Sequence, residues 1–184
     1  MDAGLIARRY ATVLQEFARD KGKLDEVFAD AVLVRNVLMQ QPEAKRFFDS
    51  PLHRQSEKRE LVKATFENSV SAEMMLFLTF LVDKERIGYA DSILLVFEAL
   101  YKNEHDICTA TVTTAQELKP DQKERFISLV TAKIEATGQK VTSVDATFKV
   151  DPKIIGGVIL AVDGKQLDGS VLSKLNSIQR QLAV

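Results

Sequence analysis

The sequence predicts an all-α helical bundle over residues 1–105 and a small α+β domain over residues 106–184. Three observations support this fold class. The first 105 residues repeat apolar side chains at helical spacing between short breaks. Near Asp106 the pattern changes to an alternation of apolar residues and threonines, which is typical of strands. The order after this change is strand, helix, strand, strand and helix, which indicates an α+β arrangement.

The first predicted helix covers residues 4–20, and its apolar side chains fill an arc of about 160°. An ordinary surface helix has an apolar stripe of about 100°, so this helix can pack on a core and still offer apolar surface. Three further helices are predicted over residues 24–39, 42–48 and 56–68.

Ser71 is predicted to cap the next helix. Residues 74–82 of that helix are apolar on nearly every side, so it is either central in the bundle or covered by a partner. Gly88 breaks the chain before the last helix of this half, residues 89–101. Because the first helix and the helix after Ser71 both have surplus apolar surface, we expect them to form a groove for a third helix.

Beyond residue 105, alternating and continuous apolar patterns predict strands over residues 108–113, 144–150 and 158–162. Pro120 opens a helix between the first two strands, and that helix is predicted to end at Gly138. The dipeptide Asp163-Gly164 suits a two-residue hairpin turn. A closing amphipathic helix is predicted from four apolar residues at helical spacing: Val171, Leu175, Ile178 and Leu182.

Seven turn-forming residues define a structural motif in the last third of the chain: Asp151, Pro152, Gly156, Gly157, Asp168, Gly169 and Ser170. Asp-Pro sets a turn, the glycine pair supplies backbone freedom before a strand, and the serine caps the final helix. We expect one of the two glycines to take a backbone conformation denied to other residues, or to lie where another segment passes closely. The motif holds no catalytic base, nucleophile or metal cluster, which indicates a docking module.

The composition is that of a folded protein, with 46% hydrophobic and 28% charged residues and a net charge of −1. Residues 1–105 carry 15 basic and 17 acidic side chains, and residues 106–184 carry 10 and 9. Neither half has the basic excess that phosphate-dominated binding of nucleic acid requires, so no nucleic-acid partner is expected.

The residue types that usually carry chemistry are sparse. The single cysteine, Cys108, lies in a predicted strand and is expected to be a small buried side chain. His53 and His105 stand far apart without companions at metal-ligand spacing. The sequence contains no phosphate loop or dinucleotide fingerprint. We therefore expect no cofactor, no metal and no catalytic residue.

No apolar run approaches the ~18–20 residues that a membrane-spanning helix needs, so direct membrane insertion is not expected. The first residues contain no signal-peptide core or presequence. These features predict a soluble protein on the cytosolic side and leave peripheral attachment through a partner open.

Several segments together resemble the delta subunit family of F-type ATP synthases, called oligomycin-sensitivity-conferring protein in mitochondria. Residues 6–14 are similar to the family's Ala-Arg-x-Tyr-Ala opening, and residues 82–87 to the end of its mid-chain helix. Residues 112–118 resemble the strand that leads into its C-terminal domain. Residues 150–157 and 167–171, which contain the structural motif, resemble the family signature. Arg9, Ala161 and Asp163-Gly164 depart from residues that the family often has there.

The resemblance implies a non-catalytic stator protein of the peripheral stalk, which resists the torque of the rotor. It implies that residues 1–105 bind the N-terminal segment of an alpha subunit and that residues 106–184 bind the C-terminal ends of the b subunits. The residues expected to line the alpha-subunit groove are Tyr10, Ala11, Leu14, Leu76 and Phe80, with Lys84 facing an acidic rim. The expected location is the cytoplasmic face of a bacterial plasma membrane rather than a mature organellar complex.

Two other readings remain open at this point. The main alternative is a helical protein–protein or RNA-binding adaptor of another complex, against which the near-neutral halves argue. The second is a small enzyme with a site assembled from dispersed acids. A polar cleft with strongly perturbed carboxylates would favour the enzyme.

Overall fold

A computed structural model of the chain describes residues 3–50, 52–135, 141–162 and 165–182. The chain divides into two compact units, Met1–Tyr101 and Lys102–Val184. Helices precede a small mixed sheet, which confirms the predicted fold class. The hairpin turn predicted at Asp163-Gly164 and the helix end predicted at Gly138 lie outside the described residues.

The first unit is built from helices joined by short connections. They are α1 (Ala3–Asp20), α2 (Leu24–Gln40), α3 (Pro42–Asp49), α4 (Gln55–Phe66), α5 (Ala72–Asp83) and α6 (Ala90–Glu104). Gly22 separates α1 from α2 at a φ of 65°, a conformation that residues with a Cβ rarely adopt. A 3-10 turn, Ile87–Tyr89, contains Gly88 and leads into α6.

One apolar core joins all six helices of this unit. Its largest fully buried side chains are Phe66, Phe97, Leu14, Met74, Leu78, Leu81, Ile93 and Leu94. Burial of each side chain of this size stabilises the fold by about 1.5–3 kcal/mol relative to exposure. The apolar periodicity of each helix is therefore explained mainly by packing within the unit.

Polar contacts across the bundle fix how the helices are placed. The Arg35 guanidinium on α2 donates to both carboxylate oxygens of Glu98 on α6, at 2.9 and 2.8 Å. It also reaches Asp91 at 3.4 Å, and Lys45 contacts the second oxygen of Asp91 at 3.1 Å. Burial alone would raise the pKa of Asp91, but the two cations outweigh burial and the pKa is lowered. The cluster ties α2, α3 and α6 together.

The second unit contains β1 (Ile107–Thr114), α7 (Pro120–Glu135), β2 (Ser143–Val150), β3 (Val158–Val162), β4 (Lys165–Asp168) and α8 (Val171–Leu182). The strands form one sheet in the order β2-β1-β3-β4. The pair β1–β2 is parallel, and the other two pairs are antiparallel. Parallel pairing of β1 and β2 needs a crossover, which α7 supplies.

The core of this unit lies between α7 and one face of the sheet. Cys108 and Ala110 of β1 pack with Val130 and Ile134 of α7. Cys108 is buried, which confirms the expectation of a small buried side chain in a strand. Alternate residues of β1 point away from this core, which explains the threonines at every second position.

The closing helix does not bury its apolar stripe. Leu175 and Ile178 of α8 are 50% and 51% exposed, and Val171 is 38% exposed. Such a stripe in a folded unit is surface that a partner can cover.

We expect a fragment of residues 1–105 to fold alone as a helical bundle, because the buried residues of its core cluster all lie between Ala7 and Phe97. Circular dichroism should show a strongly helical spectrum and a cooperative thermal transition. A spectrum without helical minima would contradict this expectation.

Candidate functional site

Apolar side chains of α1 and α5 meet at the surface of the helical unit. The rings of Tyr10 and Phe80 lie 6.0 Å apart between centroids. Leu76, one turn before Phe80 on α5, is 61% exposed, and Phe80 is 38% exposed. The ammonium of Lys84 lies 5.7 Å from the centroid of the Phe80 ring. We call Tyr10, Leu76, Phe80 and Lys84 the N-terminal docking surface.

Two residues expected to line this groove do not reach the surface. Ala11 and Leu14 are wholly buried and belong to the core of the helical unit. The apolar arc of α1 is wide, and Ala11 and Leu14 lie on the side of it that faces the other helices, whereas Tyr10 lies toward the other side, which is less buried. The prediction that these two residues line the groove is therefore corrected: they lie in the core layer beneath it.

An exposed residue on α1 was missed in the prediction of the lining. Val13 lies three residues after Tyr10, so the two side chains are neighbours along the helix surface. Val13 is exposed, although it belongs to the apolar arc. Val13 lies at one edge of that arc and the buried Ala11 lies at the other, so the arc alone gave no signal as to which edge stays accessible.

The N-terminus of α5, which carries Leu76 and Phe80, is held by hydrogen bonds. Ser71 caps the helix by accepting a hydrogen bond from the Met74 N–H at 3.3 Å, as predicted. The buried carboxylate of Asp30 on α2 accepts the Ser71 N–H at 2.9 Å and also the Ser71 hydroxyl. A buried carboxylate with two donors fixes the start of α5 against α2.

A second contact to the first turn of α5 comes from the segment before α2. The Lys23 ammonium donates to the Glu73 carboxylate at 3.0 Å. This hydrogen bond is the main reason why the pKa of Lys23 is raised and the pKa of Glu73 is lowered. The pair is accessible to solvent, so it orients α5 more than it stabilises the fold.

A polar cleft of about 410 Å³ lies elsewhere in the helical unit, between the ends of α3, α4 and α5. Hydrogen bonds between its polar groups join these helix ends. The Lys58 ammonium donates to the Phe48 carbonyl at 2.6 Å, and the Gln55 amide donates to Glu85 at 2.9 Å. The arrangement is that of a structural junction and gives no support to a site built from dispersed acids.

In the second unit, the motif residues join the start of β3 to the start of α8. The Gly169 N–H donates to the Val158 carbonyl, and the Val171 N–H donates to the Gly156 carbonyl, both at 2.9 Å. Gly157 lies between these bonds at a φ of 80°. A Cβ added to Gly157 would overlap the carbonyl oxygen of Gly169. Only glycine can adopt this positive φ without strain and also avoid the overlap with Gly169, because it has no Cβ.

The remaining motif residues form local turns and a helix cap. Asp151 accepts the Lys153 N–H at 3.0 Å and begins the 3-10 turn Pro152–Ile154. Asp168 accepts the Ser170 N–H at 2.8 Å, and hydrogen bonding by Ser170 is the main reason why the pKa of Asp168 is lowered. The Ser170 hydroxyl oxygen accepts the Ser173 N–H at 3.1 Å and caps α8.

This motif sets the direction in which α8 leaves the sheet. We call the exposed stripe Val171, Leu175 and Ile178 the C-terminal docking surface. The sequence of α8 contains Lys174 and Arg180 and no acidic residue. Lys174 is exposed and lies three residues after Val171, so the apolar surface has a basic residue at its margin. This surface suits an apolar partner that carries acidic side chains.

Comparisons with known proteins agree over almost the entire chain. A family model described as ATP synthase delta (OSCP) subunit matches residues 6–182. An ATP synthase subunit delta from Desulforamulus reducens is 33% identical over 179 residues, which cover 97% of this chain and 96% of the relative. One from Lactobacillus acidophilus is 32% identical over 177 residues, which cover 96% and 94%. A chain in the cryo-EM structure of the Toxoplasma gondii mitochondrial ATP synthase hexamer has the same fold, with a TM-score of 0.74 at 24% identity and 97% coverage of both chains.

Two folded units that each leave large apolar side chains exposed are the arrangement of a docking protein. The chain belongs to the ATP synthase delta (OSCP) subunit family. It is a peripheral-stalk subunit of the F-type ATP synthase, and the alternative of an adaptor in another complex is not favoured.

We expect Gly157→Ala to destabilise the second unit by about 2–4 kcal/mol, because backbone strain and steric overlap add. Gly22→Ala is the matched control, since Gly22 also has positive φ but has open space where a Cβ would lie. The control should cost only about 1 kcal/mol. Urea denaturation of both variants measures the difference, and equal effects would show that the close approach to Gly169 contributes nothing.

Proposed function

We propose that this chain is a non-catalytic stator subunit that links two partners of the ATP synthase through separate surfaces. The helical unit binds the N-terminal segment of an alpha subunit, and the second unit binds the C-terminal ends of the b subunits. The observation that carries the proposal is that each unit leaves large apolar side chains exposed, Leu76 and Phe80 in one and the α8 stripe in the other.

The proposed location is the cytoplasmic face of a bacterial plasma membrane, where the chain is attached through the b subunits. Relatives named ATP synthase subunit delta come from bacteria, which supports this setting. Among the described residues, none of the helices combines the length and the apolar character that a membrane crossing requires.

Binding of an amphipathic alpha-subunit helix follows from the chemistry of the N-terminal docking surface. Leu76 and Phe80 are one turn apart on α5, so they present a stripe that matches the apolar face of a helix. Covering such side chains removes apolar area from water, at about 25 cal/mol for each Å². Lys84 at the margin would favour an acidic residue beside that apolar face.

A charge placed on this stripe should weaken the alpha-subunit contact. We expect Leu76→Asp and Phe80→Asp each to weaken binding of an alpha N-terminal peptide by about thirtyfold or more, near 2 kcal/mol. Isothermal titration with that peptide provides the measurement. The matched control is Leu95→Asp, at an exposed leucine on α6. Unchanged affinity in both stripe variants, with the fold intact, would place the alpha site elsewhere.

The burial of Ala11 changes what a substitution there would test. Ala11→Trp would force a large ring into a core position that has no exposed surface. Overpacking of this kind costs about 1–3 kcal/mol of stability or more. A loss of peptide binding in that variant would therefore report damage to the fold rather than a filled groove.

Binding of the b subunits is supported by the C-terminal docking surface. Its residues recur at i, i+4 and i+7 along α8, which is the spacing at which one helix packs along another. The helical cap at Ser170 and the backbone bonds to Gly156 and Val158 hold the start of α8 in place. A preorganised surface loses less conformational freedom on binding, which favours a long-lived contact.

We expect Leu175→Asp to weaken binding of the soluble C-terminal part of the b subunit by at least about tenfold, because it places a carboxylate in the centre of the apolar stripe. Pull-down or surface plasmon resonance with that fragment measures the loss. Leu129→Asp, at an exposed leucine on α7, is the control and should bind normally. Equal loss of binding in both variants would show that the loss is not specific to the apolar stripe.

A further inference from the structure

Ile155 combines two features that are unfavourable for an isoleucine. Its φ is 66° and its ψ is −41°, a region that β-branched residues avoid because Cβ crowds the backbone. Its side chain is 61% exposed, although it is a large aliphatic group. Within this chain, the residue therefore has a strained backbone and leaves most of its apolar side chain in water.

Among the residues that the structure describes, neither packing nor hydrogen bonding requires an isoleucine here. The neighbouring Ile154 is the buried residue of this turn, and Ile155 points out of the core. The Ile155 N–H donates to the Pro152 carbonyl at 3.1 Å, a backbone bond that glycine would make equally well. Glycine would also remove the crowding that causes the strain.

The position of Ile155 links it to the C-terminal docking surface. The next residue, Gly156, accepts the N–H of Val171, the first residue of the apolar stripe on α8. A Cβ added to Gly156 would lie 3.3 Å from a methyl group of Val171. Ile155 is therefore an exposed apolar residue directly before the residue that contacts the first position of the stripe.

We propose that Ile155 is an anchor residue for the b subunit, and that its strained backbone is kept because it presents the side chain to the partner. This inference rests on the proposed function, since it names a contact within the surface that binds the stalk. The partner segment is an apolar helix end with acidic side chains, because the stripe beside Ile155 is apolar and α8 carries only basic charges. Exposed apolar anchors that become buried on binding commonly carry much of the affinity.

The test separates stability from binding by comparing three variants of the full chain. Ile155→Gly removes both the strain and the anchor, so its melting temperature should rise by about 4–8 °C while binding of the soluble C-terminal part of the b subunit weakens at least about tenfold. Ile155→Ala removes the anchor but keeps a Cβ, so its binding should weaken without the rise in melting temperature. Ile155→Leu keeps a large aliphatic group and should retain binding.

Leu52→Ala, at an exposed leucine of the helical unit, is the control and should leave binding unchanged. Wild-type affinity in Ile155→Gly would overturn the inference, and a lower melting temperature in that variant would overturn the strain on which it depends. Failure of the wild-type chain itself to bind the b fragment would instead contradict the proposed function.

Discussion

The close approach of Gly157 to the backbone of Gly169 and Ser170 is the contact on which the geometry of the second unit depends. It lets the start of β3 and the start of α8 share backbone hydrogen bonds on both sides of Gly157. Any side chain at Gly157 would push these segments apart. The cap at Ser170 and the direction of the apolar stripe would then change together, because both follow from where α8 begins.

In the helical unit, side-chain contacts fix the position of the docking surface. Most of this docking surface lies on α5, whose first turn is tied to α2 by the buried carboxylate of Asp30 and to Lys23 by an ion pair. Side chains rather than a glycine contact hold this helix. In both units, polar contacts fix the start of one helix, α5 or α8. The apolar side chains on that helix remain exposed and available for a partner.

Much of the fold was predictable because periodicity and turn chemistry act locally. The cap at Ser71, the start of α7 at Pro120 and the burial of Cys108 follow from neighbours in the sequence. The groove lining was predicted less well, since a helical pattern shows how wide an apolar arc is but not which part of it packs inward. Ala11 and Leu14 were misplaced for this reason. The strain at Ile155 depends on the turn made by residues 151–157 and leaves no pattern in the residue types.

The central position of β1 in its sheet has a consequence for synthesis on the ribosome. Its partner β2 is completed only after α7 has been made, and its other partner β3 comes later still. Contacts between residues far apart in the sequence form slowly because long loops must close first. The six helices, by contrast, depend on contacts within the first 104 residues and are translated before any strand. The nascent chain can therefore contain a folded helical unit while β1 is still unpaired, with its backbone N–H and C=O groups accessible to chaperones.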